Sequence, residues 1–221
     1  MAVTPAYPEK PRRRGRPAKS SLDAAALIRT AALDVFARNG FSGASIAEIA
    51  RQAAVAKPLI HYHFATKDAL WQAAVGEAFN TLQSEMAGFS GRVVSQPRDE
   101  ILRAMSFQLV TFAARFPQLV RIVVDETGRP GPRAEWLRER YLLPGYQLAR
   151  SVMTGMQPAS ESSVQIGSEH LVPMILGVMN FPFLDSDVID QAYGVDVYNE
   201  VYIGRHAELL YRILSTLVGS H

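Results

Sequence analysis

The side chains best suited to meet a polyanion are gathered in the first third of the chain. Lys57, His61, Tyr62 and His63 lie within seven residues of sequence, Lys67 follows one turn later, and Arg12, Arg13, Arg14, Arg16 and Lys19 cluster ahead of them. Lys and Arg placed against phosphates release condensed counterions, while Tyr and His add hydrogen bonds to phosphate oxygens and base edges. Residues 1–75 carry a formal charge of +6 and the remainder −4, and all four lysines fall in the first part. A basic end joined to an acidic body suggests a polyanion-binding segment, with an ordinary solvated surface as the alternative.

Other chemistries lack their residues. Cysteine is absent, which removes a disulfide framework, a thiolate metal site and a cysteine nucleophile. His61 and His63 are two apart, and on a helix they diverge by about 200°, too far to share one ion. Gly40-Phe41-Ser42-Gly43-Ala44 lacks the final glycine of a nucleophile elbow, and there is no phosphate-cradling glycine loop or His-Glu-x-x-His. The chain therefore reads as a non-enzyme with no metal and no cofactor. Its start, MAVTPAYPEKPRRRGRPAKSS, has no apolar leader-like stretch, and its most apolar run, the 14 residues from Leu171 to Leu184, is interrupted by Pro173, Asn180 and Pro182. That run is too short to cross a bilayer, so a cytoplasmic protein with no membrane partner is expected.

The elements that must position these groups read as helices throughout. Residues 1–19 are proline-rich and basic and read as a flexible arm. Ser20 and Asp23 have capping-box spacing, and Ile28, Ala32, Val35 and Phe36 then form one apolar stripe that Gly40 ends with a left-handed turn. Ser45 and Glu48 open a second, short helix with Ile46, Ile49, Ala50 and Ala53 on its buried face. After a break at 54–56, Pro58 is tolerated in the first turn of a third helix, which turns Ile60 and Phe64 inward and leaves Lys57, His61 and Tyr62 outside. A fourth helix opens at 66–68 and buries Leu70, Trp71, Ala74 and Val75. Beyond it the apolar spacing predicts helices near 67–88, 97–115, 117–127, 132–155, 161–180, 187–193 and 197–218.

Three short helices with a tight turn between the second and third make a helix-turn-helix, whose last helix lies in the major groove. Residues 24–75 resemble the tetracycline-repressor (TetR) family of bacterial regulators: Ala31-Ala32-x-x-x-Phe36, Asn39-Gly40-Phe41, Ser45-Ile46-Ala47-Glu48-Ile49-Ala50, Ala53-Ala54-Val55-Ala56-Lys57, His61-Tyr62-His63-Phe64 and Thr66-Lys67-Asp68-Ala69-Leu70. Ala54 replaces a usual glycine, Ala56 a usual serine that caps the recognition helix, and His61 a usual tyrosine. The resemblance implies an all-α protein: an arm (1–19), a DNA-binding domain (20–66), and a helical ligand-binding and dimerisation domain (67–221).

It also implies roles. Lys57, Pro58, Leu59, His61 and Tyr62 sit where family members touch DNA. Lys67 resembles a phosphate-clamping lysine, and Ser42, Ala44 and Ser45 begin the second helix, where hydroxyls and backbone N–H groups can meet phosphate. For His63 a structural role is as good a reading as a DNA contact. Arg14 and Arg16, in Arg14-Gly15-Arg16-Pro17, resemble the core of an AT-hook that enters a narrow minor groove, against plain electrostatic tethering as the alternative.

In the body, Phe107, Trp136, Tyr146, Met153, Met174 and Phe181, with Arg121 or His170 as polar anchor, would suit a partly apolar small-molecule effector. Leu171, Ile175, Val178, Tyr198, Tyr202, Leu209, Leu210, Ile213, Leu214 and Leu217 would form a homodimer interface of the four-helix-bundle type. Core packing within one chain is the alternative for both sets. The expected function is a transcriptional regulator, a repressor released from double-stranded operator DNA by its effector. The rivals are a ligand-independent architectural DNA-binding protein and an enzyme built on the C-terminal helices.

Overall fold

Apolar side chains recurring every three to four residues, broken by Gly and Pro, give an all-helical chain. The computed structural model describes residues 21–90, 97–156 and 166–218. In order, the helices are α1 (Ser21–Gly43), α2 (Ile46–Gln52), α3 (Lys57–His63), α4 (Lys67–Ser90), α5 (Arg98–Arg115), α6 (Pro117–Thr127), α7 (Pro132–Leu137), α8 (Leu143–Met156), α9 (Ser168–Leu184), α10 (Ser186–Tyr193) and α11 (Glu200–Val218). No single helix among the described residues is long and apolar enough to cross a membrane. Ser20 and the arm residues Arg14 and Arg16 lie outside the described residues.

Two clusters of buried side chains organise the molecule. The first contains the stripe foreseen on α1 (Ile28, Ala32, Val35, Phe36), Ile49 and Ala50 of α2, Ile60 of α3, and Leu70, Trp71, Ala74 and Val75 of α4. It is completed by Phe112, Leu119, Ile122, Leu137 and Tyr141. The second gathers Leu102 and Val110 of α5, Met153 of α8, Val172, Ile175, Met179 and Phe183 of α9, and Ala207, Leu210 and Leu214 of α11. Burying each Val, Leu, Ile, Met or Phe among them contributes about 1.5–3 kcal/mol, an upper estimate because the unfolded chain already hides part of this area.

Three departures from the expected helices have local causes. The segment expected as one helix over 132–155 is broken by a π turn at Arg138–Leu142, where the Leu143 N–H reaches back to the Arg138 carbonyl. Pro144 has no N–H to give the Arg140 carbonyl, and the wider turn absorbs that mismatch. The helix expected over 161–180 begins at Ser168 and runs through Pro182 to Leu184. Pro182 would ordinarily orphan the Val178 carbonyl four residues back, but the His206 Nε2–H of α11 donates to it at 2.7 Å. Finally, α1 does not stop at Gly40: the chain kinks there, with φ +65°, and turns once more before α2.

Candidate nucleic-acid interface

The site is built on two seven-residue helices that could not stand alone. Ser45 is extended at the N-cap of α2, and its hydroxyl accepts the Glu48 N–H at 3.1 Å. The reciprocal half of the box is not formed, because Glu48 turns toward α1 and accepts from Asn39 Nδ2 at 2.9 Å. At its other end α2 closes in a Schellman turn: the Val55 N–H reaches the Ala50 carbonyl (3.0 Å) and the Ala54 N–H the Arg51 carbonyl (3.2 Å). Ala54, the residue at the turn's left-handed position, has φ +53°. Ala56 then caps α3 in extended conformation with no side-chain hydrogen bond.

This turn lays α3 against the head by Ile60, which is 1% exposed, with Leu59, His63 and Phe64 half-buried. Lys57, Pro58, His61 and Tyr62 stand on the solvent side, Tyr62 with 78% of its surface open. Lys57 and His61 make no ion pair or side-chain hydrogen bond among the described residues. The neighbouring acids are occupied elsewhere: Glu48 on Asn39, and Asp34 on Gln52 (3.1 Å) and Gln118 (2.7 Å). The exposed side of α3 is thus basic and aromatic, with no carboxylate to repel phosphate.

The other head residues divide. Ser42 and Ser45 are exposed, whereas Ala44 is buried and its N–H donates to the Gly40 carbonyl at 3.2 Å. Ala44 therefore packs the head and has no free N–H for phosphate, contrary to expectation. His63 packs between Tyr62 and Phe64, with its Nε2 buried and unpartnered, which favours the structural reading of this residue. Lys67 sits half-buried with its ammonium 4.6 Å from the centre of the Phe41 ring.

The profile of bacterial regulatory proteins of the tetR family matches residues 28–74, the stretch that builds this head. The match makes this head a DNA-binding domain of the TetR type. The chain is 22% identical over 164 residues, 74% of its length and 79% of the other's, to YttP of Bacillus subtilis, named as a probable HTH-type transcriptional regulator. It is 41% identical over 61 residues to the A-factor receptor protein of Streptomyces griseus, a match covering 28% of this chain and 22% of that one. The fold of FadR, a transcriptional regulator of Bacillus subtilis solved with stearoyl-CoA, superposes with a TM-score of 0.61 at 17% identity, covering 89% of this chain and 98% of the other. The chain is thus similar to DNA-binding transcriptional regulators of the TetR family, in its head by sequence and over most of its length in fold.

The residues expected to line an effector pocket differ in their surroundings. Trp136 lies edge-on to Trp71 and Tyr141 in the first cluster, and Met153 is buried in the second. Phe107, Tyr146, Met174 and Phe181 are exposed, as are Arg121 and His170, with Arg121 reaching the Leu184 carbonyl at 3.4 Å. Two surface cavities, a groove along α4 and a smaller one between α1, α4 and Phe116, are lined by none of them. The larger, about 710 Å³, is an open groove along α4 lined by Arg29, Gln72, Glu77, Asn80, Ser84 and Tyr141 among others.

The expected dimer set also splits. Leu171, Ile175, Leu210 and Leu214 are buried within one chain, while Tyr198 and Leu209 are exposed and Val178, Tyr202, Ile213 and Leu217 half-buried. Periodicity gives the width of an apolar face but not which part of it a neighbouring helix of the same chain covers. What remains open follows the seam where His206 of α11 meets the Val178 carbonyl of α9. One turn to either side lie Met174 and Phe181 on α9, and Tyr202 and Leu209 on α11.

One residue of this region escaped the sequence reading. Arg133, just after the Gly131-Pro132 break, donates from Nε to both carboxylate oxygens of Glu126 (3.0 and 3.1 Å) and from Nη1 to Asp68 (3.3 Å). Its guanidinium carbon lies 3.6 Å from the centre of the Phe41 ring. The partners are remote in sequence, and only a Pro-started helix with an early Arg marks the place.

Proposed function

We propose that the chain is a homodimeric repressor that reads a two-fold symmetric operator with α3 and is released by a small-molecule effector. The observation that carries the DNA-reading part is the open side of α3: Lys57, Pro58, His61 and Tyr62 exposed, Leu59 half-open, and no acid among them. In this reading Lys57 and Tyr62 meet phosphates, Leu59 packs on a thymine methyl or sugar, and His61 faces base edges. Ser42, Ser45 and Lys67 add phosphate contacts at the flanks, while Arg14 and Arg16 of the arm supply a minor-groove or electrostatic tether. Residues 20–66 form the reading domain, and 67–221 the sensing and dimerising one.

Dimerisation is assigned to the exposed seam of α9 and α11. Met174, Phe181, Val201 and Leu209 leave a third or more of their surfaces open along it. Gly177 on α9 is exposed, with open space where a side chain would stand. An isologous interface would use this stripe twice. A partly apolar effector is supported by the similarity of the fold to FadR, solved with stearoyl-CoA. Such a ligand releases DNA only if it binds one geometry of the dimer better than another.

The test is selection of bound fragments from genomic DNA, with the intact chain against a Lys57→Ala/Tyr62→Ala variant at fixed salt. A shared two-fold symmetric sequence, lost in the variant, is the expected result, and release of that duplex by a long-chain acyl-CoA would extend it to the effector. Recovery of DNA without a motif, by both proteins alike, would overturn the assignment of α3.

A further inference from the structure

Arg133 grips the two-helix reading unit at its entry and its exit. Phe41 lies just before α2, on the turn made by Gly40, and Asp68 lies in the first turn of α4, just after α3. Phe41 is itself held by stacking on Phe36, with centroids 5.8 Å apart and planes 11° from parallel. The guanidinium covers this ring at 3.6 Å and reaches Asp68 at 3.3 Å, while its anchor lies in the body. That anchor is Glu126, whose side chain keeps only 10% of its surface exposed.

The anchor needs its cation. Glu126 sits in the last turn of α6, the negative end of the helix dipole, where a carboxylate is disfavoured without a partner. A nearly buried carboxylate left unpaired is strongly destabilising, so Arg133 is held to Glu126 whatever the head does. Its remaining face is left for Phe41 of the head, under the planar cation, and for Asp68 at the start of α4, where the chain leaves the head for the body. The fork shape matters here: a lysine ammonium could serve one of these partners but not stack on the ring and span two carboxylates at once. A rotation of the head against the body would break the Phe41 and Asp68 contacts together.

We infer that Arg133 is a positioning residue that fixes the angle of α2 and α3 relative to the body, and through that angle sets DNA affinity. The inference rests on the chain's being a DNA-binding regulator and not on any effector. Nothing in it requires Arg133 to touch DNA.

The chain has no cysteine, so two introduced at exposed positions, Ala47→Cys on α2 and Gln191→Cys on α10, can carry spin labels alone. Labelled chains diluted into unlabelled protein then report the head-to-body distance within one chain. Arg133→Gln and, separately, Glu126→Gln are expected to broaden or displace this distribution and to weaken binding of the selected duplex about tenfold or more. Arg115→Gln, which breaks an ion pair to Glu85 that joins α5 to α4 within the body, is expected to leave the distribution unchanged. Should Arg133→Gln fail to fold, Glu126→Gln carries the test.

A distribution identical to the parent's in the folded variants would overturn the inference. So would an altered distribution with unchanged DNA affinity, or an equal displacement in Arg115→Gln, since any lost ion pair would then suffice.

Discussion

Replacing Ala54 by glycine should stabilise the protein, although it removes a side chain. Ala54 holds the left-handed position of the turn between α2 and α3, with φ +53°. Left-handed backbone costs an L-residue about 1–2 kcal/mol, while glycine adopts it freely and offsets part of the gain by about 0.4–1 kcal/mol of extra freedom when unfolded. The Ala54 methyl is exposed, so no packing is lost. The net gain is about 0.5–1 kcal/mol, which for a chain of this size raises Tm by about 1–4 °C. Thermal unfolding followed by circular dichroism, at matched protein concentration because self-association shifts Tm, measures it. Ala47→Gly supplies the opposite sign: Ala47 is exposed inside α2, where glycine costs about 1 kcal/mol. An Ala54→Gly protein melting at or below the parent would refute the claim that this turn is strained.

Two other perturbations test the body. Leu209→Glu places a charge on the open seam of α11, where Leu209 is half exposed. In the proposed dimer each copy forfeits about 1.5–3 kcal/mol of burial and a symmetric interface loses two, so dissociation should rise about 100-fold or more, read as monomer by light scattering. A dimer of undiminished strength would remove α11 from the interface. Tyr211 donates its phenol proton to Asp99, and this bond together with burial raises its pKa above the ordinary value of 10.0; burial does the same to Tyr202. The folded chain thus holds these protons more tightly than the unfolded one, so their contribution is complete below the unfolded value and lost as pH rises through the raised folded value. Tyr211→Phe should make the alkaline fall in stability shallower, and parallel curves for parent and variant over about pH 9–11 would count against this bond.

What the sequence determined by itself was local. The stripe of Ile28, Ala32, Val35 and Phe36, the hydroxyl cap of Ser45, the proline at the start of α3 and the inward Ile60 all follow from helix periodicity and end chemistry acting over a few residues. The absent cap at Ala56 and the missing glycine at Ala54 were legible only through the resemblance to the TetR family, and the left-handed backbone at Ala54 came from the structure. Tertiary structure decided what depends on which helix covers which face. Leu171, Ile175, Leu210 and Leu214 are as apolar as Leu209, yet packing within the same chain buries the first four and leaves the last open. Ala44 lost its N–H to a carbonyl brought round by the Gly40 kink, and Glu48 found Asn39 in place of its own cap. The Arg133 grip joins residues that no spacing rule connects, because a guanidinium reads space and not sequence: Phe41, Asp68 and Glu126 become its neighbours only once α1, α4 and α6 have packed around Trp71.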